Sequence, residues 1–169
     1  MLVPEKGLHY LIEAYKEIDT DKKLVIAGGS SHSFDYMKQV QEMAASDERI
    51  IMTNFVQGRV LEELYSNAYV FVLPSDVEGM ALTLLEAMSY GDCCLVSDIP
   101  ENIEVVENQA VTFRKGSVED LKKKLVFLLE NPEITADYGR KSVDFICNKY
   151  SWEEMVRQTR MLYENTDCK

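Results

Sequence analysis

A chain of 169 residues with 29 acidic side chains against 18 basic ones, net charge −11, repels nucleic acid and anionic lipid at long range but leaves small nucleotide ligands open. Its 46% apolar content supports one domain with a real core, and no stretch nears the ~18 consecutive apolar residues of a membrane span. No basic-then-apolar leader opens the sequence, and Cys93, Cys94, Cys147 and Cys168 lack metal-ligand spacing, so a reducing cytoplasm is the expected compartment.

In chain order, apolar strands alternate with amphipathic helices. Gly7 to Lys16 reads as a helix with Leu8, Leu11, Ile12 and Tyr15 on one face. Lys23 to Ala27 reads as a strand ended by Gly28-Gly29, followed by a helix over Phe34 to Ala45 and a strand near Arg49 to Thr53. A helix around Val60 to Asn67 leads into the apolar block Tyr69 to Leu73, which ends at Pro74-Ser75. The next helix carries Leu82, Leu85, Ala87 and Met88 and stops near Gly91. Cys93 to Val96 and Ala110 to Phe113 are further strands. Ser117 with Asp120 resembles a capping box for a helix through Leu129. Pro132 opens another helix, with Ile134, Tyr138 and Val143 expected inward. Ser151 caps a last one bearing Trp152, Met155, Val156, Leu162 and Tyr163.

This alternation predicts an α/β fold, a doubly wound (Rossmann-like) parallel sheet with helices on both faces. Ligands of such sheets bind outside the carboxyl ends of the strands. Three loops leave those ends: Gly28 to Ser30, Thr53 to Gly58 and Pro74 to Met80. Glu78 lies in the last of them and Glu86 in the helix beyond, about 12 Å apart if the segment is helical throughout. Two carboxylates at that separation suit a ligand with two hydroxyl-bearing rings. The same spacing also describes a helix with one exposed and one half-buried acid. His9 and His32 stand alone in sequence and read as surface residues.

Four ordered segments carry a family resemblance: LVPEKGLHYLIEAY (Leu2 to Tyr15), LVIAGG (Leu24 to Gly29), FVLPSDVEGMALTLLEAM (Phe71 to Met88) and SDIPENIEVVEN (Ser97 to Asn108). With the tryptophan-bearing last helix, they resemble the C-terminal, donor-binding domain of retaining glycosyltransferases of family 4, which have the GT-B fold. The resemblance implies residues 1–150 as a nucleotide-sugar-binding domain and 151–169 as a helix crossing to an absent N-terminal, acceptor-side domain. It implies hexosyl transfer in the cytoplasm from a UDP-, GDP- or ADP-sugar, without a metal or other cofactor. By resemblance, Glu86 accepts hydrogen bonds from the ribose hydroxyls and Glu78 approaches the transferred sugar. Lys6 pairs with the diphosphate, and the amides of Gly79, Met80 and Ala81 meet sugar and phosphates. Gly29, Val56 (in the Phe55 to Gly58 loop, which by position lies beside the base and reads equally as an ordinary strand-to-helix turn) and Ser75 complete the expected contacts.

The physics suits these roles. Carboxylates accept from vicinal diols, and a lysine with a helix N-terminus stabilises a departing diphosphate. For Ser75 a helix-entry role is the plainer reading, and for Lys6 a solvated lysine.

Two departures qualify the resemblance. Met80-Ala81 replaces the family's phenylalanine-glycine pair, and the added Cβ of Ala81 is expected to narrow the donor site or to be tolerated. The family places an apolar strand and an arginine just before Leu2; here Met1 stands at the arginine. A fragment whose sheet lacks its first strand, inactive without the second domain, is therefore expected. The readings left open are a non-catalytic nucleotide-sugar-binding subunit, an inactive remnant, and another GT-B enzyme such as an epimerase, a glucan synthase or a phosphorylase. Apolar residues of the last helix are expected either to pack on their own domain or to stay exposed and favour self-association.

Overall fold

The computed structural model describes residues 2–29 and 33–166; His32, Cys168 and the side chain of Trp152 lie outside that set. Among the described residues five parallel strands form two sheets. β1 (Leu24–Ala27) pairs with β2 (Ile50–Asn54), while β4 (Cys94–Ser97) lies between β3 (Phe71–Leu73) and β5 (Val111–Phe113). The helices are α1 (Leu8–Lys16), α2 (Phe34–Ala45), α3 (Arg59–Ser66), α4 (Leu82–Tyr90), α5 (Pro100–Val106), α6 (Val118–Glu130), α7 (Pro132–Lys149) and α8 (Trp152–Thr166).

The period-2 geometry of a strand explains why both sheet faces are covered. Along β4 and the residue before it, Cys94 and Val96 enter a core with Leu84, Met88, Val105 and Ile146. Cys93 and Leu95 enter another with Leu11, Phe113, Leu121 and Leu128. Every residue of β4 is buried, as expected of a strand sandwiched between helices. A third core lies under β1 and β2, around Ile12, Ile26, Val40 and Ile50. The fold is the doubly wound one anticipated from sequence.

The two sheets share no strand-to-strand hydrogen bond, and among the described residues no strand fills the space between them. The expected discontinuity is therefore present. Helix α1 spans it. Leu11 and Ala14 pack into the β4 core, whereas Ile12 and Tyr15, on the adjoining stripe, pack into the β1–β2 core. At the carboxyl ends the residues before α1 complete the bridge. The Leu2 amide donates to the Gly29 carbonyl (2.9 Å), and the Asp76 amide donates to the Glu5 carbonyl (2.7 Å).

Several local expectations need correction. α4 begins at Leu82, so Glu78 to Ala81 are not helical, and Glu86 sits little more than one turn inside. Ile134 is 38% exposed. Tyr138 and Val143 are half-buried against the domain as expected, and the fully buried stripe of α7 is Thr135, Gly139, Ser142 and Ile146, whose small members allow close approach to α4. A Cβ on Gly139 would lie 2.2 Å from the Gly91 carbonyl oxygen. Ser117 caps α6 by accepting from the Asp120 amide, but the Asp120 carboxylate accepts from the Arg114 amide rather than closing the box. Ser151 caps α8 through the Glu154 amide, as expected. On α8, Met155, Val156 and Met161 remain exposed, so this helix does not bury its apolar side on its own domain.

Candidate functional site

The site grows from loops at the carboxyl ends of β1, β2 and β3 and from the 3-10 turn Pro4–Lys6. Gly7 fixes that turn. It adopts φ +63°, and a Cβ there would lie 2.1 Å from the Pro74 carbonyl oxygen, so only glycine lets the turn press against the end of β3. The contact delivers Lys6 to the loop that carries Glu78.

There the Lys6 ammonium and the Glu78 carboxylate form an ion pair, Nζ to Oε1 at 2.6 Å. The same Oε1 accepts from Ser75 Oγ, also at 2.6 Å. The Glu78 side chain is only 6% exposed, against 32% for Lys6. Both donors converge on Oε1, leaving the lone pairs of Oε2 for a ligand. Ser75 is fully buried with its hydroxyl turned to Glu78; it is not a helix N-cap, since α4 starts seven residues later. Lys6 is a partnered lysine rather than a solvated one.

Glu86 is held differently. It projects from α4 into solvent, and its Oε2 accepts from Tyr65 Oη at 2.9 Å. Tyr65, on α3, is buried and stacks on Tyr90. Burial, and then the bond to Glu86, push its phenol well above the usual range. It therefore stays a donor at any physiological pH and aims one Glu86 oxygen. Sequence reasoning missed Tyr65, since nothing in its neighbourhood distinguishes it from an ordinary core tyrosine.

The remaining expected residues surround these two carboxylates unevenly. Gly79 and Met80 are exposed, and a Cβ on Gly79 would meet nothing within 4 Å. Ala81 is 5% exposed, and its side chain belongs to the core with Leu84 and Met88. Its φ of −76° suits any L residue. The methyl thus points into the protein, and alanine does not narrow the crevice. Gly29 follows β1, its carbonyl accepting from the Leu2 amide. Val56 stands half-buried on the loop after β2, sharing no hydrogen bond or core cluster with the Lys6–Ser75–Glu78 group.

His9 corrects a further expectation. It is half-buried, with Nδ1 2.9 Å from Tyr36 Oη and its ring against Tyr10. Tyr10 in turn donates to Asp76, two residues before Glu78. Among the described residues no group of three or more His, Cys, Asp or Glu side chains could hold a metal ion. A hollow of about 270 Å³ lined by Gln41, Ala44, Ile50 and Met52 opens at the amino end of β2, away from these loops.

Comparison with known proteins points to one family and one fold. A family model described as "Glycosyl transferases group 1" matches residues 1–145. An uncharacterized glycosyltransferase of Methanocaldococcus jannaschii is 28% identical over 96% of this chain and 43% of its own length. The O-antigen chain mannosyltransferase B of Escherichia coli is 26% identical over 95% of this chain and 43% of its own. Among solved structures, Anabaena HepE in complex with UDP superposes with a TM-score of 0.89 at 18% identity, over 97% of this chain and 46% of that one. The sucrose-phosphate synthase of Thermosynechococcus elongatus gives 0.84 at 22% identity, over 98% and 43%. The chain thus spans somewhat under half the length of these relatives.

Proposed function

This chain belongs to the group 1 glycosyl transferases, and from that premise we propose that it is the donor-binding half of a retaining glycosyltransferase acting on a nucleoside diphosphate hexose. The observation that carries the reading is the pair of restrained carboxylates, Glu78 held by Lys6 and Ser75 and Glu86 held by Tyr65, on the loop and helix that follow the carboxyl end of β3. Glu86 accepts from the ribose diol with the oxygen lone pairs that Tyr65 leaves free. Lys6 shares its charge between Glu78 and the diphosphate, which gains negative charge as the glycosidic bond breaks. The exposed Gly79 and Met80 amides, with that of Ala81 at the start of α4, add donors for sugar and phosphates. Glu78 faces the reacting carbon of the sugar and favours its developing positive charge electrostatically, not as a nucleophile.

Gly29 and Val56 flank this site on the β1 and β2 loops, with Val56 beside the base. The acceptor and the other wall of the cleft belong to a second domain, against which the exposed apolar side of α8 docks. The share of each relative left unmatched supports such a domain. No helix among the described residues is long and apolar enough to cross a membrane. We place the reaction in the cytoplasm, where the free thiols Cys93, Cys94 and Cys147 stay reduced. The transfer needs no metal in this reading, because Lys6 and the loop amides take up the phosphate charge.

The deciding experiment is calorimetric titration with UDP, GDP and ADP of the wild-type chain and of Glu86→Ala. Binding of one nucleotide, weakened about tenfold or more in the variant, supports the assignment and names the base. Binding unaffected by the variant would place the nucleotide elsewhere.

A further inference from the structure

Behind the Lys6–Glu78 pair lies a second tier of polar groups, all buried. Ser75 follows β3 and Ser97 ends β4, and neither is exposed to solvent. Ser97 Oγ donates to the Ser75 carbonyl oxygen (2.5 Å). Asn102, the third residue of α5 and equally buried, donates through Nδ2 to the Ser97 carbonyl at 3.2 Å and to Ser97 Oγ at 3.0 Å. Chemistry fixes the direction of each bond. A backbone carbonyl only accepts, so the Asn102 amide must turn its nitrogen to Ser97. With Ser97 Oγ accepting from that nitrogen, its own proton goes to the Ser75 carbonyl. Ser75 Oγ then gives its proton to Glu78.

The other end of the amide is unusual. Asn102 Oδ1 is buried and has no hydrogen-bond partner, which costs stability that an apolar side chain of similar volume would not. The amide is kept despite that cost. What it holds is the backbone of Ser75, the root of the loop carrying Glu78 and the Gly79, Met80 and Ala81 amides.

We propose that Asn102 is a positioning residue which, by way of Ser97 and Ser75, fixes the Glu78 carboxylate. The consequence for the donor sugar rests on the glycosyltransferase reading of the site. Asn102 touches no ligand itself. Glu86 is aimed by Tyr65 from α3, outside this line of donors, so the two carboxylates are positioned independently.

The test uses Asn102→Asp, which keeps the shape and removes the donor, and Ser97→Ala, with Ser97→Thr as the variant that restores a hydroxyl. One readout needs no ligand: the ¹⁵N NMR signal of the Lys6 ammonium, whose proton exchange is slowed by its bond to Glu78. The signal is expected in wild type and Ser97→Thr and lost in Asn102→Asp and Ser97→Ala. The other readout is calorimetry with UDP and UDP-glucose, and with GDP and GDP-mannose. In folded Asn102→Asp, affinity for the sugar nucleotide should fall on the order of tenfold, about fivefold or more beyond any fall for the bare nucleotide, which meets Lys6 and the loop amides but not Glu78. A persistent ammonium signal, or a parallel fall in both affinities, overturns the inference. If wild type binds none of the four, nor ADP or ADP-glucose, the donor-site reading fails, and the ammonium signal alone decides whether Asn102 positions Glu78.

Discussion

Lys6 and Glu78, 72 residues apart in sequence, meet at 2.6 Å across the join between the turn before α1 and the loop after β3. The two partners are unequally buried, and that inequality sets what their removal does. Lys6→Met leaves a carboxylate 6% exposed with Ser75 as its remaining donor, whereas Glu78→Gln leaves a lysine that can turn to water. Lys6→Met should therefore cost about 2–4 kcal/mol in urea unfolding, and Glu78→Gln about 1 kcal/mol or less. Equal losses would mean that the pair is solvated in solution.

Gly7 is the steric condition for that meeting. Gly7→Ala combines a left-handed φ with a Cβ 2.1 Å from the Pro74 carbonyl oxygen. It should lower stability by roughly 3 kcal/mol or more and abolish the slow-exchanging Lys6 ammonium signal. Thermal unfolding and NMR of the same sample check both outcomes.

Tyr65→Phe keeps the ring stack on Tyr90 and deletes the donor to Glu86. The exposed Glu86 can rehydrate, so stability should fall by only ~1 kcal/mol. Nucleotide affinity by calorimetry should drop several-fold, because the carboxylate is no longer aimed. An unchanged affinity would remove Tyr65 from the site.

Asp92 sets the pH dependence. It follows the helix-ending Gly91, is 4% exposed, and its Oδ2 has no hydrogen-bond partner; burial raises its pKa to about 7. Between the ordinary carboxylate range and that value the folded chain holds a proton that the unfolded chain has released. Its contribution to stability therefore falls as pH rises through this window and levels off above it. Asp92→Asn should gain on wild type by up to a few kcal/mol at pH ~8, the gap closing towards pH ~5. Urea unfolding at several pH values tests this, and a pH-independent gap would count against it.

Much of this was legible from the sequence. Helix α2 runs over the residues its apolar spacing marked, Phe34–Ala45, and Glu78 lies on the loop that leaves the carboxyl end of β3, with Glu86 on the helix after it. Two kinds of feature were not legible. On α7 Tyr138 and Val143 turn inward as expected, but Ile134 does not, and the tightest contact uses Thr135, Gly139 and Ser142. Close approach selects small residues, which hydrophobic periodicity does not register. Tyr65, Ser97 and Asn102 were missed because uncharged polar groups reveal themselves only through partners that the chain brings together, such as Ser75 with Ser97, 22 residues on. The worry over Ala81 dissolves for a related reason: sequence shows that a methyl is added, and only the backbone shows that it points inward.

Cys93 and Cys94 are neighbours whose thiols look in opposite directions, one into the core beneath α1 and α6, the other into the core beneath α4 and α5. Burial pushes Cys93 up to about 12 and Cys94 well above its ordinary value, so neither offers a thiolate to an alkylating reagent while its face is closed. Cys147 lies exposed on α7 and reacts at once. The chain therefore carries two internal clocks, set side by side in one strand, that time the opening of its two faces separately.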